Sequence, residues 1–159
     1  MKTILLISWF LITVIVANGQ TTGLKRLDRD YGIGPYKLDM KMKSIHDLTC
    51  KQNSVTLVQV CTLSNDSILK FGNINLKANK FFFFKKRLDT IHLNFDLNDS
   101  SKVVQTFTRL YGRPTKGTYF NFDNTSGVFR YWMTDKVRLQ VIKDEIIISA
   151  RNEKSLKIK

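Results

Sequence analysis

The sequence predicts an α+β fold: a single antiparallel, meander-rich sheet, one main helix at about residues 99–111 packed on it, and a short N-terminal helix at about residues 45–51. Three observations lead to this prediction. Apolar side chains recur at helical spacing within residues 103–111. Stretches before and after that segment alternate apolar with polar side chains, as half-buried strands do. The last three of these stretches are joined by two-residue links, which are typical of antiparallel hairpins.

The first 19 residues carry the pattern of an export signal. Lys2 supplies a positive charge, residues 4–17 form an apolar run, and the small residues Ala17 and Gly19 predict cleavage before Gln20. The run is shorter than the roughly 20 apolar residues that cross a membrane. Retention as an uncleaved anchor is the alternative. We therefore expect a signal peptide at residues 1–19 and a secreted or periplasmic protein without a transmembrane span after cleavage.

The exported chain is predicted to hold one domain. Residues 20–35 are polar and read as a flexible N-terminal segment. Residues 36–150 form the single α+β domain, and residues 151–159 form a basic tail. The full chain has 26 Lys and Arg against 13 Asp and Glu, a formal net charge of +13. Such a charge attracts polyanions, although solubility alone also explains it.

The region before the main helix is predicted to be mostly strand. Residues 36–43 alternate apolar side chains with charged ones. Ser44, followed by Asp47, resembles a capping box, which predicts the short helix at residues 45–51. Two further strands are predicted from β-branched content and alternation, at residues 54–63 and 68–77.

Phe81 to Phe84 form an apolar run between Lys80 and the basic residues 85–87. In a strand, two of the four rings point to each face. We interpret the run as a central strand covered by the main helix on one face and by the N-terminal segment on the other. An exposed aromatic face for a partner is one alternative, and stacking of single-stranded nucleic acid is another.

Residues 88–97 are the clearest predicted strand, with Ile91, Leu93, Phe95 and Leu97 on one face. His92 and Asp96 lie on the polar face and suggest an acid–base pair. The same polar face is what a solvated sheet contains, and the sequence names no nucleophile beside the pair.

The main helix has clear boundary signals. Asn98, Asp99 or Ser100 can cap its start, Gly112 suits its end, and Pro114 blocks continuation. A helix of about three turns is unstable alone in water, so it must pack on the strands. The strands that follow are predicted at residues 118–122, 128–134, 137–143 and 146–150.

Cys50 and Cys61 are the two cysteines of the chain. After export they can form a disulfide that closes a short loop, and two buried thiols are the alternative. Their spacing matches no metal-binding or CxxC redox pattern. We therefore expect no metal site and no cofactor.

The segment Leu110-Tyr111-Gly112-Arg113-Pro114, followed by a strand holding Tyr131 and Trp132, resembles the small outer-membrane assembly lipoproteins of the SmpA/OmlA type. The same order also resembles uncharacterised small exported proteins of Gram-negative bacteria. The resemblance covers about residues 103–148 and implies an envelope location but no activity. The chain departs from that family because it lacks a lipobox cysteine and carries extra strands before the helix.

These observations predict an exported, non-catalytic binding module of the bacterial envelope or extracellular space. Its partner is expected to be an anionic macromolecule, such as an acidic protein, a glycan or a lipid surface. We expect no specific binding to nucleic acid, because export removes the protein from genomic DNA. The predicted binding surface comprises Lys77, Lys80, Lys85, Lys86 and Arg87, with Arg130 and Trp132 as a second surface. The alternatives are a small secreted hydrolase that uses His92 and Asp96, and a non-specific polyanion or nucleic-acid binder.

Overall fold

The computed structural model describes residues 22–52, 57–63, 68–120 and 126–151. The predicted signal peptide and the tail beyond Arg151 lie outside these residues. The α+β class is confirmed, because antiparallel strands pack against helices. Alongside the main sheet there is a separate two-stranded sheet, so the prediction of one sheet was only partly right.

The described residues contain two α-helices, α1 at residues 22–30 and α2 at Ser100–Tyr111. Short 3-10 helices lie at Met42–Ser44 and Leu97–Asp99. The strands are β1 Gly32–Ile33, β2 Tyr36–Lys37, β3 Leu48–Gln52, β4 Val58–Leu63, β5 Ile68–Phe71, β6 Ile74–Phe84, β7 Arg87–Asn94, β8 Thr115–Phe120, β9 Ser126–Met133, β10 Val137–Ile142 and β11 Glu145–Ala150.

The large sheet has nine antiparallel strands in the order β3-β4-β6-β7-β11-β10-β9-β8, and β5 pairs with the start of β6. The meander predicted after the main helix is present as β8 to β11. β11 then pairs with β7 and so joins the meander to the strands that precede α2. The site described below lies at the end of the sheet where β6 turns into β7.

Helix α2 packs on one face of this sheet through Val103, Phe107 and Tyr111, which are buried at intervals of four residues. Gly112 ends the helix at φ 85°, a left-handed conformation that glycine adopts without steric cost. The rings of Phe107 and Trp132 meet edge to face at 5.7 Å between centroids.

The N-terminal segment packs on the same face as α2, so the predicted two-sided cover of the Phe run was wrong. Leu27 of α1 is buried in the same core as Phe81 and Phe83. Tyr36 packs edge to face on Phe81, with centroids 4.8 Å apart. On the other face, Phe82 is half-buried and Phe84 is exposed.

Two local predictions before β4 were wrong. Residues 45–51 do not form a helix: a single 3-10 turn at Met42–Ser44 precedes strand β3. Pairing of β3 with β4 outweighs the weak capping signal of Ser44. Residues 22–30 are helical rather than flexible, because Leu27 reaches the core and Gly23 lies against the end of α2.

Candidate anion-binding site

A basic groove lies where the β6–β7 turn meets the 3-10 helix at Met42–Ser44. The Met42 amide donates to the Lys86 carbonyl at 2.9 Å, and Lys41 forms a β-bridge with Arg87. The groove has a volume of about 450 Å³. It is lined by Lys41, Met42, Lys43, Lys85, Lys86 and Arg87. Two segments more than 40 residues apart in sequence thus bring five cationic side chains together.

The turn at the centre of this groove has an unusual backbone. Lys85 and Lys86 have φ values of 49° and 63°, both in the left-handed region. A tight hairpin turn of this kind favours Asn-Gly, because two consecutive left-handed residues are strained for side chains such as lysine. Strained backbone of this kind is common at ligand-binding and switch regions of proteins. The turn therefore carries two adjacent cations at a cost in local conformational energy.

One carboxylate neutralises part of the groove. Arg87 Nη1 lies 3.0 Å from Asp39 Oδ2 and also donates to the Asp39 carbonyl at 3.0 Å. Within the described part of the chain, no ion pair involves any of the four lysines of the groove. Lys85 Nζ instead lies 5.4 Å from the centre of the Phe84 ring. The groove thus keeps an excess of positive charge.

Met42 connects the groove to the disulfide beneath it. The structure joins Cys50 and Cys61 across β3 and β4, where the two residues face each other in register. Met42 Sδ lies 3.9 Å from Cys50 Sγ and 4.0 Å from Cys61 Sγ. The 3-10 helix at Met42–Ser44, which contains Lys43 and directly follows Lys41, is therefore held against a covalently linked pair of strands.

The structure brings only part of the predicted binding surface into this groove. Lys85, Lys86 and Arg87 line it, whereas Lys77 and Lys80 are exposed further along β6. Lys77 is eight positions from Lys85, roughly 26 Å along a strand. The basic surface predicted from the sequence is therefore not continuous.

The structure also corrects the second predicted surface, which comprised Arg130 and Trp132. Trp132 is 1% exposed and its Nε1–H donates to the Gly112 carbonyl, so it is a core residue beneath α2 and not a surface contact. Arg130 is half-buried on the same side of β9, in a separate groove that Leu97 and Val128 also line.

Lys41 and Lys43 are the site residues that sequence reasoning missed. They were expected among the outward charges of a predicted strand, with no link to residues 85–87. Their only sequence signal is the charge alternation at residues 37–43. What brings them to Lys85 and Lys86 is the backbone pairing of Met40 and Met42 with Leu88 and Lys86, which involves residues more than 40 positions apart.

His92 contacts a carboxylate that sequence reasoning did not consider. Its Nδ1 lies 2.5 Å from Glu145 Oε1, and its ring packs on Phe82 with centroids 4.8 Å apart. Asp96 instead accepts a hydrogen bond from the Asn98 amide and caps the 3-10 helix at Leu97–Asp99. The structure therefore does not pair His92 with Asp96.

A second basic cleft, of about 940 Å³, lies between α1 and the end of α2. It is lined by Lys25, Arg26, Arg29 and Arg109, among others. Both Arg26 and Arg29 have their Nε 3.8 Å from a carboxylate oxygen of Asp30. A shared carboxylate thus offsets part of the charge in this cleft.

Comparisons with protein-family models, with curated proteins and with solved structures found no match to this chain. Among the described residues, no group of three or more His, Cys, Asp or Glu side chains is placed to hold a metal ion. No helix in this part of the chain has the length and apolar character that a membrane crossing needs.

Proposed function

We propose that this protein is an exported, non-catalytic binding module that holds an anionic partner in the basic groove. The observation that carries the proposal is the convergence of Lys41 and Lys43 with Lys85, Lys86 and Arg87 around one concave surface. Cations grouped on a surface concentrate anions and bind them more tightly than the same charges spread apart.

The arrangement of the groove supports a binding role rather than a solubility role. Solubility requires charge on the surface but not two consecutive lysines in left-handed conformations. A scaffold that is linked by a disulfide beneath the groove also limits the conformational entropy lost when a partner binds.

The export part of the proposal rests on two features. Residues 1–19 have the composition of a cleaved leader. The bond between Cys50 and Cys61 fits an oxidising compartment such as the periplasm or the extracellular space.

Binding of inorganic polyphosphate tests the groove directly, with the protein purified after export. The variant Lys85→Glu/Lys86→Glu should weaken binding at least tenfold by titration calorimetry at physiological salt. The matched control is Lys70→Glu/Lys116→Glu, which makes the same charge change at two exposed lysines outside the groove. An equal loss of affinity in both variants would show that binding follows net charge, and the groove would then not be a site.

A small hydrolase remains the second candidate, favoured by the 2.5 Å contact between His92 and Glu145. A carboxylate that orients a histidine is one part of an acid–base site. The described hydrogen bonds place no nucleophile on His92. A substrate screen with wild type and His92→Gln decides the matter: hydrolysis that is lost in the variant without a change in Tm would favour the enzyme.

A further inference from the structure

We propose that the anionic partner is the surface of an anionic lipid bilayer, and that the protein docks on it with the end of the sheet that carries the β6–β7 turn. This inference rests on the proposed function and specifies its partner. It is carried by exposed apolar side chains beside the basic groove and by a further cation at the same end of the sheet.

Two large apolar side chains are exposed next to the groove. Leu57 is 66% exposed, and Phe84 is 38% exposed. They are neighbours in the fold, because the Lys85 amide donates to the Leu57 carbonyl at 3.3 Å and Phe84 pairs with Val58. An apolar pair bordered by lysines is the arrangement that inserts between lipid headgroups while the cations contact phosphate.

The cations of this end extend beyond the groove. Strand register aligns the β6–β7 turn with the turn between β9 and β10, because Thr90 pairs with Ser149 and Val137 pairs with Ala150. Lys136 lies in that second turn beside the exposed Asp135, and the Lys136 carbonyl accepts from the Arg151 amide at 2.7 Å. Three strand spacings separate the two turns, roughly 14 Å. A flat anionic surface can contact both turns at once.

The opposite end of the sheet carries charges of both signs. Phe95 follows β7 there, and its amide donates to the Asp144 carbonyl at 2.9 Å. This end holds the four carboxylates of Asp96, Asp99, Asp144 and Glu145, together with the six cations of Lys70, Lys77, Lys102, Lys116, Arg130 and Lys143. Lys102 is paired with Asp99 at 2.7 Å. What distinguishes the β6–β7 end is therefore the convergence of five cations around one groove, and not the net charge of that end.

The exposed apolar pair is the reason to propose a bilayer rather than a soluble polyanion. A sulfated or phosphorylated chain in water offers Leu57 and Phe84 no apolar phase to enter. A bilayer offers both phosphate groups and acyl chains, so the lysines and the apolar pair contribute to the same binding event.

Sedimentation with vesicles tests the inference. The protein purified after export is mixed with vesicles of phosphatidylglycerol and phosphatidylcholine in equal parts, and with vesicles of phosphatidylcholine alone. We expect binding to the anionic vesicles only. Leu57→Ser/Phe84→Ser should lower the partition coefficient roughly tenfold, because two apolar side chains no longer leave water. Leu97→Ser, at a residue that is 64% exposed at the opposite end, is the matched control and should bind as wild type does.

A second variant reports insertion directly. Phe84→Trp should show fluorescence quenched by brominated acyl chains when the anionic vesicles are present, whereas Leu97→Trp should not. The buried Trp132 gives the same background in both variants.

The outcomes separate this inference from the proposed function. Polyphosphate binding that depends on Lys85 and Lys86, with vesicle binding absent or unaffected by Leu57→Ser/Phe84→Ser, overturns the bilayer and leaves the anion site standing. A protein that binds neither polyphosphate nor vesicles overturns both proposals. Equal binding to neutral and anionic vesicles also overturns the inference, because the cations would then contribute nothing.

Discussion

The indole Nε1–H of Trp132 donates a 2.7 Å hydrogen bond to the carbonyl oxygen of Gly112. Strand β9 is thereby tied to the residue that ends α2. The contact also satisfies a carbonyl at the helix end, where the last backbone carbonyls lack partners within the helix. Trp132 is thus both a core residue and a cap for α2.

Trp132→Phe should destabilise the protein by about 2–3 kcal/mol. The substitution leaves the Gly112 carbonyl without its partner and removes part of a buried ring, and each effect costs roughly 1 kcal/mol or more. Chemical denaturation of wild type and variant measures the difference. Tyr131→Phe, at the neighbouring half-buried residue, is the control and should change stability by less than about 0.5 kcal/mol. A Trp132→Phe protein as stable as wild type would show that the hydrogen bond contributes nothing.

This contact shows how far the sequence determined the fold and the site. Alternation along residues 128–134 places Arg130 and Trp132 on the same face of strand β9, as the second predicted surface required. It did not say which face α2 would cover, because periodicity describes one strand and not its neighbours. Trp132 was therefore placed on a binding surface when it belongs to the core.

Tyr111 should make the protein sensitive to high pH. Burial, together with the Asp30 carboxylate that accepts its hydroxyl hydrogen bond at 3.1 Å, raises the pKa of the Tyr111 phenol above its ordinary value of 10.0. The folded state therefore favours the neutral phenol. This stabilisation is fully present below about pH 10 and is lost as the pH rises towards the folded pKa.

The free energy of unfolding should accordingly fall as the pH rises above about 10, and Tyr111→Phe should make that fall less steep. Burial also raises the pKa values of Tyr31 and Tyr36, so part of the slope should remain in the variant. Urea titrations at each pH measure the slope. Identical slopes for wild type and Tyr111→Phe would show that the Tyr111 phenol does not titrate differently in the folded and unfolded states.

Replacing the disulfide should destabilise the fold without removing it. Cys50 and Cys61 are 11 positions apart, and the chain-entropy model gives about 3 kcal/mol for a loop of this size. Cys50→Ala/Cys61→Ala should therefore lower the midpoint of denaturation, and reduced wild type should lose a similar amount. Reduction that changes stability in the double variant as well would show that the reductant acts elsewhere.

The basic groove could not be predicted from any single stretch of the sequence, because it is formed by two segments that are distant in the chain. Residues 85–87 were recognised as a basic stretch, but Lys41 and Lys43 join it through backbone pairing of residues 40–42 with residues 86–88. The capping signal at Ser44 and Asp47 pointed to a helix instead. It is a four-residue pattern, and the pairing of β3 with β4 overrides it. His92 was recognised, but its partner Glu145 comes from a strand 53 positions later.

The β6–β7 turn provides the strictest test of the groove. Lys85→Asn/Lys86→Gly places at the turn the two residues that its left-handed backbone favours, while it removes two of the five cations. Stability should rise by about 1 kcal/mol, because the strain at Lys85 and Lys86 is relieved. Affinity for polyphosphate should fall at the same time. Lys85→Arg/Lys86→Arg, which keeps both charges and the strain, should bind as wild type does and gain no stability. A turn variant that is more stable and still binds with wild-type affinity would mean that these lysines do not contact the anion. A variant that gains stability and loses affinity would explain why the chain keeps lysine at two positions where the backbone favours asparagine and glycine.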